Sequence, residues 1–297
     1  MKSSVRFVLL QSARKNPLAT RTLSTHRAAV LMTDDSMGVR TLTLNRPPMN
    51  LLSVEMIDGL TAAVHDSSRD SAVRVIVIEP SGRHFCAGHD LRQMRHGPHT
   101  QQAYEQLFSK CAALMQALVT APAPVVAKVS GIATAAGCQL VASCDLAVAS
   151  DSARFAVSGV NLGLFCSSPS VALSRSMSTK RAFEMLVTGE FIDAQAALAY
   201  GLVNRVAPEE RLDAEVKRLT DAIVSKPPVA IRTGKEMFYK QRSMVELEEA
   251  YSYAAGVMAR NMLADDTVEG VDAFLAKRSV NWPSARGSEE PDDGRNG

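Results

Sequence analysis

Hydrophobic and polar positions in the first half of the chain predict alternating strands and helices. Residues 39–44 (VRTLTL) alternate with the period of two expected of a strand, and the Asn-Arg-Pro-Pro segment at 45–48 ends it. Apolar residues from Ser53 onward follow the 3.6-residue period of a helix, and the β-branched run at 73–78 (VRVIVI) predicts a strand covered on both faces. The alternation continues with a helix at about 104–118, a strand at 125–129, a helix ending near 144 and a strand at 146–149. This order indicates an α/β fold.

The pattern after residue 168 becomes mostly helical. Asp193 is expected to be a helix N-cap, and residues 202–206 are expected to form a short strand. Apolar periodicity predicts four long helices, at 211–224, 229–239, 245–262 and 267–277. We therefore expect an α/β domain at 34–207, a helical region at 208–282 and a disordered polar tail at 283–297.

Charge separates the first 33 residues from the rest. The 297 residues carry a formal net charge of +2 from 33 basic and 31 acidic side chains, yet residues 1–33 contain six Lys or Arg and no Asp or Glu. A basic, acid-free segment rich in Ser and Thr is typical of a mitochondrial transit peptide, whereas the apolar run at 7–10 is too short for a secretory signal. We expect import into the mitochondrial matrix with cleavage between about Arg21 and Thr33; a disordered basic arm is the alternative.

The body of the chain after residue 33 lacks the marks of several protein classes. It keeps 27 basic and 31 acidic side chains, so its charge is near −4, which argues against binding of polyanions through bulk charge. Its five cysteines are odd in number and have no Cys-x-x-Cys spacing, which predicts reduced thiols and no zinc site. The most apolar stretch, 129–149, is interrupted by Gln139 and Asp145 and predicts packed core, so no membrane partner is expected.

Two segments rich in small residues are the best candidates for chemistry, at 84–91 (HFCAGHDL) and 130–139 (SGIATAAGCQ). Gly and Ala let a backbone approach a ligand closely, because little side chain intervenes. The second segment also precedes a helix, whose first N–H groups and macrodipole favour negative charge. If the segments converge, each can offer an N–H group to an oxyanion hole. Tight packing explains the same small residues, so residue type alone leaves both interpretations open.

Five ordered motifs resemble the crotonase superfamily, the enoyl-CoA hydratase/isomerase group, over nearly the whole chain after residue 33. They lie at 44–47 (LNRP), 85–91 (FCAGHDL), 130–140 (SGIATAAGCQL), 144–145 (CD) and 188–203 (TGE to GLV). The resemblance implies a crotonase-like spiral of ββα units with an α-helical C-terminal region that contributes to homotrimers or hexamers. It also implies an acyl-CoA thioester as the ligand, with coenzyme A as part of that ligand and no other cofactor or metal.

The resemblance also assigns candidate site residues. It implies an oxyanion hole formed by the backbone N–H groups of His89 and Ala136, which would bind the thioester carbonyl oxygen. It places further substrate contacts at four neighbouring positions, Ala87, Asp90, Leu91 and Ala135. It further implies that Arg92 and Lys277, the latter in a neighbouring subunit, bind the phosphates of CoA; two ordinary solvated cations are the alternative.

The two glutamates used by hydratases of this family are missing. Their positions correspond to Gln139 and Gly159. An amide cannot take up or release a proton near neutral pH, and glycine has no side chain, so hydration by the two-glutamate route is not expected. The Gly-His-Asp form of the first loop also occurs in superfamily members that decarboxylate malonyl-type thioesters, which needs an oxyanion hole but no strong base. Decarboxylation, isomerisation, thioester hydrolysis and non-catalytic acyl-CoA binding therefore stay open.

Other polar residues are weaker candidates. Glu105 is a possible replacement base, and Asp145 is expected to make a structural bond to nearby backbone. Four histidines fall close together but match no common metal-ligand spacing: His84, His89, His96 and His99. One superfamily member binds RNA through a lysine-rich helix. Here the helix at 53–66 has no Lys or Arg and the helix at 101–118 has only Lys110, so no nucleic-acid partner is expected.

Overall fold

The structure, a computed structural model, describes residues 20–21 and 28–285, which form ten strands and eleven helices. The strands are β1 Thr20–Arg21, β2 Val30–Asp34, β3 Val39–Leu44, β4 Val75–Pro80, β5 Val125–Val129, β6 Ile132–Thr134, β7 Leu146–Ser150, β8 Arg154–Ala156, β9 Ile192–Asp193 and β10 Arg205–Ala207. The helices are α1 Val54–Arg69, α2 Leu91–His96, α3 Gln101–Thr120, α4 Ala136–Ser143, α5 Ser167–Ser176, α6 Thr179–Thr188, α7 Ala194–Tyr200, α8 Leu212–Val224, α9 Pro228–Gln241, α10 Leu247–Asn261 and α11 Asp265–Leu275.

Seven strands form one large sheet, in the order β1-β2-β3-β4-β5-β7-β10. The pairs β1–β2 and β2–β3 are antiparallel, and every pair from β3 to β10 is parallel. Strand β4 is buried on both faces, since Ile76 and Ile78 face the main core while Val75 and Val77 pack in a second cluster with α8. The β-branched run at 73–78 therefore predicted its environment correctly.

A unit of long strand, short strand and helix repeats along the chain. Strand β5 of the large sheet leads into β6 of a three-stranded sheet (order β6-β8-β9) and then into α4, and β7 likewise leads into β8 and then, through a single 3₁₀ turn, into α5. Strand β4 is followed by an isolated β-bridge between Cys86 and Ala133 and then by α2. This repeat is the expected ββα spiral, and the α/β fold class is confirmed.

Helices α8 to α11 confirm the helical C-terminal region, with boundaries within two residues of those predicted. One buried ion pair connects this region to the spiral. Lys235 of α9 donates from Nζ to Asp145 Oδ2 at 2.6 Å and to the carbonyl oxygens of Leu118 and Ala123 at 3.0 and 3.1 Å. Asp145 Oδ2 also accepts from Val125 N at 2.6 Å, which confirms the structural bond expected of Asp145.

The folded sheet begins earlier than the sequence predicted. Strand β2 pairs with β3 in antiparallel register from Val30↔Leu44 to Asp34↔Arg40, so a boundary at Thr33 would cut a strand. Residues 20–21 also pair with β2, whereas the rest of the expected transit peptide, 1–19 and 22–27, lies outside the described residues. At the other end, Ser284 donates to Asp266 from its backbone N at 3.0 Å, so the expected tail starts with ordered contacts. Residues 286–297 lie outside the described part of the chain.

The sequence pattern does not predict the short strands β6, β8 and β9, and it places β10 too early. Strands β6 and β8 have three residues each, too few for a recognisable alternation, and they exist because they pair with each other in parallel. Strand β10 starts at Arg205 and not at Leu202, because Leu202 and Val203 are buried against the core before the chain pairs with β7. Across the described ranges, no helix combines the length and apolar character needed to cross a membrane.

Candidate functional site

The two small-residue segments converge, as the oxyanion-hole interpretation requires. Phe85 N donates to Ser130 O at 2.9 Å, Cys86 N to Ile132 O at 3.1 Å, and Thr134 N returns to Cys86 O at 3.0 Å. These three backbone bonds align the first segment beside the second just before α4 begins. The convergence depends on contacts between residues more than forty positions apart in the chain, which no local pattern reveals.

The first segment turns sharply at Gly88. Its φ of +90° lies in the left-handed region that favours glycine. Gly88 O accepts a hydrogen bond from Leu52 N at 2.8 Å. Because the C=O and N–H of one trans peptide point in opposite directions, the N–H of His89 is directed away from Leu52. Within the described residues, no backbone acceptor takes up this N–H.

The second segment turns at Ala135, immediately before α4. Ala135 has φ 52° and ψ −121°, a strained conformation for a residue with a Cβ, of the kind that costs about 1–3 kcal/mol and clusters at functional sites. Its carbonyl accepts the first helical bond, from Gln139 N at 3.0 Å. The N–H of Ala136 belongs to the first turn of the helix and therefore projects outward from its N-terminus.

Two glycines allow the segments to lie this close. A Cβ on residue 88 would lie 3.0 Å from Ala135 Cβ and 3.3 Å from Ala136 N, so a side chain there would crowd the second N–H. A Cβ on residue 137 would lie only 2.0 Å from Cys86 O. The amides of His89 and Ala136 are thus held in adjacent segments. Two backbone donors so arranged can stabilise negative charge on one oxygen atom.

The His89 side chain contacts Leu52, which precedes α1, and Phe108 of α3. Its Nδ1 lies 3.3 Å from Leu52 O, in position to donate when that nitrogen carries the proton, and its ring meets the edge of Phe108 with centroids 5.6 Å apart. Burial lowers the pKa of the imidazole, partly opposed by the contact with Leu52 O. The ring is therefore biased toward its neutral form. Asp90 caps α2 by accepting from Arg92 N at 2.9 Å, which accounts for its carboxylate.

Gln139 and Gly159, the positions that the resemblance assigns to the hydratase glutamates, differ in their surroundings. Gln139 is only 4% exposed, and its Oε1 has no hydrogen-bond partner in the described part of the chain. Gly159 lies in a 3₁₀ turn, where a Cβ would be 2.5 Å from Leu164 O and 2.8 Å from Cys166 Sγ. Neither position provides a carboxylate, and position 159 has no room for a side chain.

The remaining candidates lie at or near the surface. Glu105 is exposed and accepts from Gln101 Nε2 at 2.7 Å, as a solvated helix carboxylate does. Arg92 in α2 and Lys277 after α11 are both exposed, as a phosphate ligand or an ordinary surface cation would be. Leu91 is 52% exposed, whereas Ala87 is half-buried and donates from its N to Met49 O at 2.9 Å.

His84 and His99, two of the clustered histidines, have separate partners. His84 Nδ1 accepts from Ile132 N at 3.3 Å and so supports the convergence of the two segments. His99 Nδ1 lies 2.8 Å from Tyr104 Oη, and its Nε2 lies 3.0 Å from Arg95 Nη1. Among the side chains that the structure describes, no group of three or more His, Cys, Asp or Glu could hold a metal ion.

Sequence reasoning missed the residues that shape the site without touching a ligand. The sequence marks Cys86 and Gly137 only as members of the two segments rich in small residues. Gly137 is expected in the turn before the helix but lies in the first turn of α4, where a glycine is a weak signal of close packing, because alanine is usually preferred in a helix. Nothing in the local sequence marks Leu52, whose backbone N orients the Gly88 carbonyl.

A family model described as Enoyl-CoA hydratase/isomerase matches residues 34–285. Enoyl-CoA hydratase domain-containing protein 3, mitochondrial, of Xenopus laevis is 44% identical over 246 residues, which cover 82% of this chain and 83% of that protein. The Homo sapiens protein of the same name is 42% identical over 246 residues, covering 82% and 80%. An enoyl-CoA hydratase crystal structure from Mycobacterium smegmatis has a TM-score of 0.84 at 52% identity, covering 86% of this chain and 98% of that one. For human enoyl Coenzyme A hydratase domain-containing protein 3 the TM-score is 0.79 at 40% identity, covering 90% and 100%. This chain therefore belongs to the enoyl-CoA hydratase/isomerase family of the crotonase superfamily.

Proposed function

We propose that this protein binds an acyl-CoA thioester, with the thioester oxygen between the backbone N–H groups of His89 and Ala136. The single observation that carries the proposal is the convergence of the two segments, in which Cys86 N donates to Ile132 O and Thr134 N donates to Cys86 O, beside Gly88 and Ala136. The family supports the ligand class. Two neutral donors suit an oxygen that becomes more negative during reaction, and removing one such donor typically costs about 10²–10³ in rate.

The proposed chemistry does not include hydration of an enoyl double bond. Gln139 and Gly159 offer no carboxylate, and the buried His89 ring favours its neutral form. Decarboxylation of a malonyl-type thioester suits this site. The C–C bond to the carboxylate breaks, CO₂ leaves, and the electron pair of that bond forms an enolate whose oxygen the oxyanion hole stabilises. A proton from water then adds to the α-carbon and gives the acyl thioester. Isomerisation and thioester hydrolysis remain within the same proposal, since both pass through a negatively charged oxygen.

A panel assay tests the chemistry. Purified protein is incubated with enoyl-, malonyl- and plain acyl-CoA esters, and hydration, CO₂ release and free thiol are measured separately. We expect calorimetric binding of the thioesters and no hydration of enoyl-CoA. Efficient hydration would refute the proposed chemistry, and absence of binding to every thioester would refute the proposed function as a whole.

A variant without the Ala136 N–H tests whether binding and turnover of the thioester depend on this donor. Ala136→Pro deletes the N–H at the first helical position, where proline is tolerated best. Ala194→Pro makes the same change at the first residue of α7 and serves as the matched control. We expect only the first variant to lose thioester binding or turnover at equal helix content. Equal behaviour of the two variants would contradict the assignment of Ala136.

The second candidate function is a non-catalytic acyl-CoA-binding or regulatory protein of lipid metabolism. It is favoured by the same two positions, because a pocket without acid–base groups can keep its ligand unchanged. Tight binding with no turnover of any ester in the panel would select this function. Turnover that is lost in Ala136→Pro would exclude it.

The phosphates of CoA are assigned to Arg92 and Lys277. Both cations are exposed and therefore available to a ligand or to a neighbouring subunit. We expect Arg92→Ala and Lys277→Ala to weaken binding of acyl-CoA but not of the corresponding acyl-pantetheine, which lacks the nucleotide phosphates. Equal weakening for both ligands would mean that these residues act elsewhere.

Homotrimers or hexamers form part of the proposal. The C-terminal helices expose large apolar side chains over a short stretch of chain, and soluble monomers rarely expose contiguous apolar patches of this kind. The most exposed are Val245, Leu247, Tyr251, Met258, Leu263, Phe274 and Leu275. A second copy of the chain is the proposed occupant. Sedimentation analysis should give three or six times the chain mass, and Phe274→Asp should reduce it; a wild-type monomer would overturn this part.

The proposed location is the mitochondrial matrix. The basic, acid-free N-terminal composition supports it, and so does the word mitochondrial in the names of the relatives. Expression of the full chain with a C-terminal tag, followed by fractionation and protease protection, provides the test. Tagged protein outside the mitochondrial fraction would contradict this location.

A further inference from the structure

Cys86 lies fully buried at the point where the two converging segments meet. Its backbone N and O exchange hydrogen bonds with Ile132 and Thr134. Its carbonyl also lies where a Cβ on residue 137 would be, so α4 packs directly on it. The backbone of Cys86 therefore joins the first segment to the second, and these backbone contacts do not involve its side chain.

The thiol acts within the first segment. Cys86 Sγ accepts a hydrogen bond from Gly88 N at 3.4 Å. Gly88 is then held at both ends, since its carbonyl accepts from Leu52 N at 2.8 Å. With the N–H and the C=O of residue 88 both bonded, the left-handed turn at this glycine is fixed. The plane of the next peptide, which carries the N–H of His89, is fixed with it.

The state of the thiol suits an acceptor and not a nucleophile. Burial raises the pKa of Cys86 to about 12, with the Gly88 N–H acting in the opposite direction. At neutral pH the sulfur is therefore an uncharged thiol, and a buried thiol of this kind is chemically inert. Cys111 of α3 is a second fully buried thiol, close enough to interact electrostatically with Cys86, and makes no hydrogen bond to the first segment in the described structure. Both thiols fill space in the core, but only Cys86 accepts a hydrogen bond from the segment, so comparing substitutions at the two positions separates these two roles.

We propose that Cys86 is a positioning residue, whose sulfur accepts the Gly88 N–H and thereby aims the His89 N–H at the thioester oxygen. The inference rests on the proposed function of the same site. It assigns no contact with the ligand to Cys86 itself. It explains why a sulfur with an acceptor lone pair stands two residues before Gly88.

The test compares an acyl-CoA with its thioether analogue, which has the same acyl chain but no carbonyl oxygen. The ratio of the two dissociation constants isolates the contribution of the oxygen, and we expect wild type to prefer the thioester by about tenfold, as suits two neutral hydrogen bonds partly offset by desolvation. Cys86→Val fills the space without accepting a bond, Cys86→Ser keeps an acceptor, and Cys111→Val is the matched core control. We expect the ratio to fall toward one only in Cys86→Val, and to be retained in the serine and Cys111 variants.

The outcomes distinguish failure of the proposed acyl-CoA binding from failure of the positioning role of Cys86. Wild type that binds neither compound refutes the proposed function, whatever the variants do. Wild type that prefers the thioester, together with an unchanged ratio in Cys86→Val, overturns the positioning role alone. If Cys86→Val does not fold, Cys86→Ala and hydrogen exchange of the Gly88 amide in wild type take its place. A fully retained ratio in the alanine variant, or rapid exchange of that amide, overturns the inference.

Discussion

Replacing Gly137 with alanine tests whether the two segments must lie as close as the structure places them. The added Cβ would lie 2.0 Å from Cys86 O, whereas an ordinary contact begins near 3.4 Å, so α4 and the first segment must separate by about 1.4 Å. That displacement breaks the bond from Thr134 N to Cys86 O, now 3.0 Å long. Overpacking costs about 1–3 kcal/mol and the lost bond about 1 kcal/mol, against a gain of up to about 1 kcal/mol from replacing a helical glycine. The expected net loss is about 2 kcal/mol.

Urea unfolding and calorimetric titration with acyl-CoA measure the two consequences. Gly234→Ala is the matched control, because Gly234 lies inside α9 and a Cβ there would meet nothing within 4 Å. The control should gain about 0.5–1 kcal/mol of unfolding free energy and keep its affinity. The Gly137 variant should lose stability and bind acyl-CoA at least tenfold more weakly, because a donor displaced by about 1 Å no longer fits the oxygen. Stability gains of the same size in both variants, with affinity unchanged, would refute the close approach.

Three further predictions concern the surroundings of the site. Lys235→Met should lower the unfolding free energy by about 3–5 kcal/mol in urea titrations, because it leaves the Asp145 carboxylate buried without its cation, and adding Asp145→Asn should recover part of that loss. Ala135→Gly should raise stability by about 1 kcal/mol, because relief of the left-handed strain exceeds the entropy cost of glycine; a loss of stability would contradict the strain. Burial lowers the pKa of His89, so the unfolded chain binds a proton that the folded state rejects, and stability should fall as the pH drops below about 6.5. His89→Asn, which cannot titrate, should flatten the fall in midpoint between pH 7 and pH 5, and an unchanged slope would exclude His89 as its cause.

The regular elements of the spiral could be predicted from sequence where local signals agree. Strand β5 matches the predicted 125–129 to the residue, because Pro124 precedes it and a glycine turn follows. Helix α1 begins after Ser53, whose Oγ accepts from Met56 N at 3.2 Å as an N-cap should. In both cases the residues that start and stop the element are its sequence neighbours. Such boundaries need no knowledge of the tertiary structure.

Strand β2 could not be predicted because two local signals conflict. Its sequence VLMTD is compatible with a strand, but it lies at the end of a basic, acid-free segment that predicts a transit peptide. Pairing with β3 decides the outcome. That pairing includes Arg40 of β3, which is buried and donates to Asp34 Oδ1 at 2.6 Å and to Asp70 Oδ2 at 2.8 Å. Composition can indicate a targeting signal, but it does not show at which residue the folded sheet begins.

The candidate site was predictable as a pair of backbone segments and not as an arrangement in space. Small residues at 84–91 and 130–139 indicated where amides could be exposed, and His89 and Ala136 follow from the resemblance. The approach of the segments depends on Gly137 against Cys86, a contact between residues far apart in sequence. The orientation of the first donor depends on Leu52, which precedes α1. These long-range contacts are made by backbone atoms, for which side-chain patterns carry little information.

The two positions assigned to hydratase glutamates differ in what the fold would accept. Gln139 has nearly the shape of glutamate, so a carboxylate could occupy its place on α4, although burial would favour its neutral form. Position 159 is different, because any Cβ would lie 2.5 Å from Leu164 O and 2.8 Å from Cys166 Sγ. A second carboxylate there requires the backbone of the 158–166 segment to take another path. At position 159 the absence of a carboxylate therefore follows from the course of the chain as well as from residue identity, and replacing the two residues alone would not place two carboxylates there.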